Sequence, residues 1–102
     1  MYGNPQRRNA LDVQDLRREG GRWLKARREE IGLSQRQLAA KVGADYYTFI
    51  SQLETGRGRI PPDRYRDWAV ALEVPEKAFV RELLRYYDPI TYEILFSEDE
   101  IV

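Results

Sequence analysis

The sequence predicts an all-α domain, on three observations. Apolar residues recur at spacings of three and four between residues 11 and 88, the period of helices with one buried face. Start and stop signals punctuate that pattern at short intervals: Ser34 with Gln37, Pro61-Pro62 and Pro75-Glu76 as starts, and Gly32, Gly43 and Gly56 as stops. A chain of 102 residues with 42% hydrophobic content supports one domain around one core.

Residues 1–10, MYGNPQRRNA, are polar and carry Gly, Pro, Arg7 and Arg8; they read as a mobile basic arm. The first helix begins near Leu11 and runs through LDVQDLRREGGRWLKARREEI. A glycine in a helix interior costs about 1 kcal/mol relative to alanine, so Gly20-Gly21 predicts a kink or break. Beyond it Trp23, Leu24, Arg27 and Ile31 share a face, and Gly32 is a natural C-terminal stop. Ser34 opens a second helix over residues 34–42, with Ser34 and Gln37 in a capping box in which each side chain satisfies a free backbone N–H. Leu38 and Val42 are its buried stripe. A third helix spans about residues 46–55, with Asp45 as N-cap and Phe49, Ile50 and Leu53 inward. A fourth starts at Pro61-Pro62-Asp63 and buries Tyr65, Trp68, Ala69 and Leu72. A fifth starts at Pro75-Glu76, buries Phe79, Val80, Leu83 and Leu84, and is closed by Asp88-Pro89.

The remainder reads differently. In ITYEILF, Ile90, Tyr92, Ile94 and Phe96 alternate with Thr91, Glu93 and Leu95, a period nearer two that predicts a short β-strand. A lone strand needs a partner. Residues 89–102 are therefore expected to form a strand and an acidic tail, SEDEIV, set apart from the helical domain of residues 11–88.

Composition removes several function classes. There is no cysteine and no histidine, so disulfides, thiolate catalysis, zinc–thiolate sites and the commonest general base are absent together. The carboxylate pairs Glu29-Glu30 and Asp99-Glu100 are adjacent in sequence, and adjacent residues on a helix do not face each other. GRGR, residues 56–59, lacks the lysine and the spacing of a phosphate-binding P-loop. No enzyme, cofactor, metal or small-molecule ligand is expected. No apolar run approaches the ~18 residues of a membrane span, and the N-terminus has no apolar signal segment, so a cytoplasmic location is expected. Net charge is zero, but residues 1–66 carry 14 Lys/Arg against 8 Asp/Glu and residues 67–102 carry 3 against 9. That asymmetry predicts a basic face and an acidic remainder.

Two short helices separated by a tight turn at Gly43 have the pattern of a helix-turn-helix over about residues 34–55. GLSQRQLAAKVG followed by ISQLETG resembles the lambda-repressor-like family, also called the Cro/repressor or XRE family, across about residues 21–80. The resemblance implies a five-helix DNA-binding domain. It departs from the family pattern between Gly43 and Glu54, where this chain is one residue longer, near Ala44-Asp45. That residue either lengthens the turn or extends the start of the third helix, and whether Tyr46 or Tyr47 enters the groove depends on which.

Given a helix that enters the major groove, the face opposite Phe49, Ile50 and Leu53 carries the recognition chemistry. Tyr47, Thr48, Ser51 and Gln52 are the expected base contacts. Gln35, Tyr46, Thr55, Arg57 and Arg59 are the expected phosphate contacts, the role of Gln35 being implied by the family; Tyr46 packing on the second helix is the alternative. Arg7 and Arg8 in the arm are either a minor-groove contact or simply the charges of an ordinary basic arm. The family further implies a structural pair between Arg28 and Glu54. A single helix-turn-helix buries too little surface for tight specific binding, so a homodimer on double-stranded DNA is expected, with Phe79, Tyr86, Tyr87, Tyr92, Ile94 and Phe96 at the seam. The strand either pairs with its copy or folds back on its own domain. The whole reads as a transcriptional regulator of bacterial or phage type. The competing reading is a protein-interaction module, an antitoxin or adaptor that uses the acidic half.

Overall fold

The computed structural model describes residues 5–97. The elements in chain order are α1 (Pro5–Glu30), α2 (Gln35–Val42), α3 (Thr48–Glu54), a single 3-10 turn (Pro62–Arg64), α4 (Tyr65–Ala71), α5 (Glu76–Tyr87) and α6 (Pro89–Phe96). Among the described residues there is no strand. The all-α class and the five helices from α1 to α5 follow the sequence pattern, and three details differ.

The first difference lies at the N-terminus. Helix α1 has 26 residues and spans about 39 Å at 1.5 Å per residue. It starts at Pro5, where proline's fixed φ suits a first helical turn, so the backbone of residues 5–10 is helical instead of an arm. Residues 1–4 and the side chains of Arg7 and Arg8 lie outside the described residues.

The second concerns Gly20-Gly21, where α1 runs on without a break. The glycines serve close approach. A Cβ built on Gly21 would lie 2.3 Å from the carbonyl oxygen of Glu54 and 2.7 Å from that of Leu53. One built on Gly20 would lie 2.9 Å from the Cβ of Tyr86. The missing side chains therefore let the end of α3 and one face of α5 rest on the α1 backbone. A third glycine completes the contact: Gly56, at φ 83°, brings its Cα against the backbone of Arg17 and Arg18.

The third difference is the C-terminus. PITYEILF is helix α6, not a strand. No strand elsewhere among the described residues offers a ladder, whereas a helix satisfies its backbone locally: the Tyr92 N–H donates to the Asp88 carbonyl at 2.9 Å and the Ser97 N–H to the Glu93 carbonyl at 2.9 Å. Pro89 opens it. Tyr92 and Phe96, four residues apart, meet with ring centroids 5.3 Å apart. Residues 98–102, the expected acidic end, lie outside the described residues.

One core holds α1 to α5. Leu24, Leu38, Ile50, Ile60, Leu72, Phe79 and Leu83 are each fully enclosed, and Trp68 and Leu53 nearly so. Trp23 lies between Phe79 and Tyr86 at centroid distances of 5.7 and 6.4 Å. Two of the expected seam residues, Phe79 and Tyr87, are buried in this protomer core and are unavailable to a second copy. Tyr86 is half-buried against Gly20 and donates to Glu82 Oε2 at 2.6 Å. Burial first, and the bond to Glu82 second, push its phenol up to about 12.

Arginines close the helix ends. Arg27 donates through Nε to the Leu72 carbonyl at 2.8 Å and through Nη2 to the Glu73 carbonyl at 2.9 Å. These bonds cover the end of α4, where Glu73 holds a left-handed φ of 58°. Arg64 donates to the Val42 carbonyl at the end of α2.

The strongest tie is inside. Arg28 donates to Glu54 through Nε at 2.6 Å and Nη2 at 3.0 Å, with both residues buried. Its Nη1 donates to the Leu33 carbonyl at 2.7 Å. The bond to Glu54 raises the Arg28 pKa and outweighs the opposing effect of burial.

Two outcomes are expected in denaturant unfolding. Arg28→Ala leaves the Glu54 carboxylate buried without its partner and should cost about 3–5 kcal/mol; an unchanged midpoint would contradict a structural role. Gly21→Ala drives a methyl into the α3 backbone and should cost at least about 1–3 kcal/mol, although alanine is the better helix former.

Candidate nucleic-acid interface

Helix α2 begins as its sequence predicts. The Ser34 hydroxyl accepts the Gln37 N–H at 3.0 Å, and the Gln37 side-chain oxygen accepts the Ser34 N–H at 2.8 Å. Leu38, Ala39 and Val42 are buried; Gln35, one turn before them on the same side, is half-buried, and Arg36 beside it is exposed. The helix stops at Gly43, whose φ of 71° is left-handed, and the Ala44 N–H closes the end on the Ala39 carbonyl at 2.9 Å.

Residues 43–47 then form the turn, and α3 starts only at Thr48. The residue that exceeds the family pattern therefore lengthens the turn and adds nothing to the helix. Asp45 does not cap it. Tyr47 holds the N-cap position without a side-chain bond, and the first turn closes through Phe49 N–H to the Tyr46 carbonyl at 3.2 Å and Ile50 N–H to the Tyr47 carbonyl at 2.9 Å.

Within the seven residues of α3, Ile50, Leu53 and Glu54 are buried and Phe49 is half-buried. Helical periodicity leaves Thr48 and Gln52 exposed and Ser51 half-exposed on the other side. Tyr46 and Tyr47 extend this face across the turn. Tyr46 is 75% exposed, so it does not pack on α2, and Tyr47 is 41% exposed. The guanidinium of Arg36 lies over the Tyr47 ring at 4.6 Å, within cation–π range. A concavity of about 540 Å³ adjoins the face, with Trp68, Asp63 and Arg64 among its walls beside Thr48 and Gln52. Nothing in the sequence marks it.

The remaining predicted residues divide. Gln35 donates through Nε2 to Glu54 Oε1 at 3.0 Å, so it braces the buried pair from the α2 side and keeps one amide hydrogen for a ligand. Thr55 is exposed, but its hydroxyl proton is spent on the Ser51 and Gln52 carbonyls at 2.9 and 3.2 Å. Arg57 is exposed past the end of α3. Arg59 is turned away from this face. It donates to Asp88 Oδ2 at 3.0 Å and Tyr65 Oη at 3.4 Å, and lies 4.8 Å over the Tyr87 ring. Burial disfavours its charge, the bonds to Asp88 and Tyr65 favour it more, and its pKa stands above the ordinary value. It belongs to the fold.

Sequence reasoning missed Arg36 and Arg18. Arg36 follows Gln35 directly, and that adjacency was the available signal; its place over Tyr47 depends on the path of the turn. Arg18 is brought beside residues 55–57 only by the contact of Gly56 with α1.

No helix among the described residues is long and apolar enough to cross a membrane. The comparison with curated proteins finds no match to the chain. The family model described as Helix-turn-helix matches residues 24–79, which takes in α2, α3 and α4 entirely and reaches into α1 and α5. That span is more than half of the 102 residues, and the Ser34 capping box, the Gly43 stop and the Arg28–Glu54 pair lie inside it. The chain belongs to the lambda-repressor-like (XRE) helix-turn-helix family of DNA-binding domains.

Proposed function

We propose that the protein is a sequence-specific transcriptional regulator that seats α3 in the major groove and binds a palindromic site as a homodimer. The observation that carries the reading is the division of α3: Ile50, Leu53 and Glu54 are buried, and Thr48, Ser51 and Gln52 face outward beside the two exposed tyrosines. Those polar groups have the chemistry of base edges. The Gln52 amide pairs with adenine N6 and N7, and Thr48 and Ser51 donate or accept. Tyr46, Arg36 and the Gln35 amide flank them at the level where phosphates run. Tyr47, held under Arg36, meets the groove with its hydroxyl or ring edge.

The dimer rests on α6. None of its residues is buried, and Ile90, Ile94 and Leu95 are 67, 65 and 61% exposed. An eight-residue helix this apolar and this open fits a seam with a second copy. Ile94 and Phe96 remain seam residues in this reading, now on a helix, with Tyr92 supporting Phe96. Phe79 and Tyr87 drop out of it. The same exposed helix is what an interaction module would offer a different protein, and the DNA experiment separates the two.

Selection of duplexes from a random pool by the purified protein should yield a palindromic consensus; no enrichment would favour the interaction module. Gln52→Ala should then relax discrimination at one position per half-site by about 1–3 kcal/mol, with little change at the others. A uniform loss across all sequences would assign Gln52 to the backbone instead. Ile94→Asp should shift sedimentation from dimer to monomer and weaken binding to the full palindrome while sparing the single half-site. A variant that still sediments as a dimer would remove α6 from the seam.

A further inference from the structure

We propose that Arg17, Arg18 and Arg57 form a phosphate-binding cleft at the C-terminal end of α3. The cleft is a concavity of about 530 Å³ between the N-terminal half of α1 and the segment after α3, lined by those arginines with Gln14, Thr55 and Gly56. It exists because Gly56, at φ 83°, brings the chain against the backbone of Arg17 and Arg18. A side chain there would hold the two segments apart.

The charge of the cleft is unbalanced. Among the described residues neither Arg17 nor Arg57 has an ion pair, and Arg18 has one with the exposed Asp15 at 3.1 Å. The Arg17 guanidinium lies 5.4 Å from the Tyr87 ring centroid, on the ring that also carries Arg59. Its Nε is buried and, among the described residues, has no hydrogen-bond acceptor. A buried, unpaired donor on a cation is costly, and an anion or an ordered water is the usual partner of such a group. The α3 carbonyls nearby would repel an anion if they were free. Three of the last four are occupied: Arg57 N–H bonds the Gln52 carbonyl at 2.8 Å, Gly56 N–H the Leu53 carbonyl at 3.2 Å, and Thr55 Oγ1 the Ser51 carbonyl at 2.9 Å. The lining of the cleft thus includes, among the described residues, three guanidinium side chains and no carboxylate, and guanidinium N–H groups have the donor geometry suited to phosphate oxygens.

Two sources supply that chemistry. Thr55 lies at the rim shared with the outward face of α3, so a duplex in that groove would lay a backbone phosphate beside the cleft; this source rests on the proposed DNA reading. A free phosphate anion is the other, and it does not. Arg17 and Arg18 precede the family match, which begins at residue 24, so the cleft is built by the long α1 of this chain.

The test uses the full chain and the variant Arg18→Gln/Arg57→Gln, whose substituted side chains are both exposed and whose melting should match the parent. On duplex DNA, the slope of log affinity against log salt should fall in magnitude by about 0.9 for each phosphate that the variant no longer neutralises. Uncharged methylphosphonates in the backbone flanking the site should weaken the parent and leave the variant unaffected. In the absence of DNA, inorganic phosphate should shift the Gly56 and Arg57 amide resonances saturably in the parent, less in Arg17→Lys, which keeps the charge and loses Nε, and not in the double variant. An effect on the slope with no saturable shift assigns the cleft to the duplex; a saturable shift with no effect on the slope assigns it to a free anion. An unchanged slope together with no saturable shift overturns the cleft, even where DNA binding and its dependence on Gln52 stand. If the protein binds no DNA, the regulator reading fails, and the phosphate titration alone upholds or overturns the cleft.

Discussion

The buried pair between Arg28 and Glu54 is the interaction on which the arrangement of the outward face depends. Glu54 is the last residue of α3, and Arg28 sits near the end of α1. The two-point contact at 2.6 and 3.0 Å fixes both the distance and the rotation of one helix against the other. Arg28 also donates to the Leu33 carbonyl, and Gln35 donates to Glu54. One carboxylate and one guanidinium therefore join α1, the entry to α2 and the exit of α3. Such pairs contribute little net stability over an apolar replacement, because desolvation offsets the attraction. What this one contributes is geometry: with Glu54 pinned, the opposite side of a seven-residue helix has only one direction to face.

That constraint matters because α3 cannot hold itself. Seven residues are well below the length at which an isolated helix is stable in water. Its N-terminus lacks a side-chain cap, and its orientation comes from burial of Ile50 and Leu53 and from the close seat of its last carbonyls on Gly21. A glycine that weakens α1 locally is what permits the crossing. The functional face is thus the least autonomous part of the molecule, rigid only because its other side is fastened.

Charge is distributed along the same lines. The arginines divide between those committed to the fold and those left for a ligand. Arg27 and Arg64 close helix ends, Arg28 meets the buried Glu54 carboxylate, and Arg59 meets the half-buried Asp88 and Tyr65. Arg36 and Arg57 remain on the surface near α3. A basic half-sequence is therefore a poor guide to a basic surface, since several of its arginines are spent on contacts within the fold.

Much of this was determined by the sequence alone. Local chemistry decided the Ser34 capping box, the stops at Gly32, Gly43 and Gly56, and the inward stripes, because caps, positive φ and helical period depend on residues within a turn of one another. The pattern of those elements sufficed for the family and for the outward set Thr48, Ser51 and Gln52. Tertiary structure decided the rest. Gly20-Gly21 reads as a weak point until α3 and α5 are seen resting on it. Arg59 reads as a free cation in a loop until Asp88, distant in sequence, is brought to it. ITYEILF alternates well enough for a strand, but a strand needs a neighbour to bond its backbone, and its absence among the described residues leaves the helix as the form that satisfies those groups. In the first two cases the deciding contact joins residues far apart in the chain, in the third what decides is a distant partner that is absent among the described residues, and no local pattern carries that information.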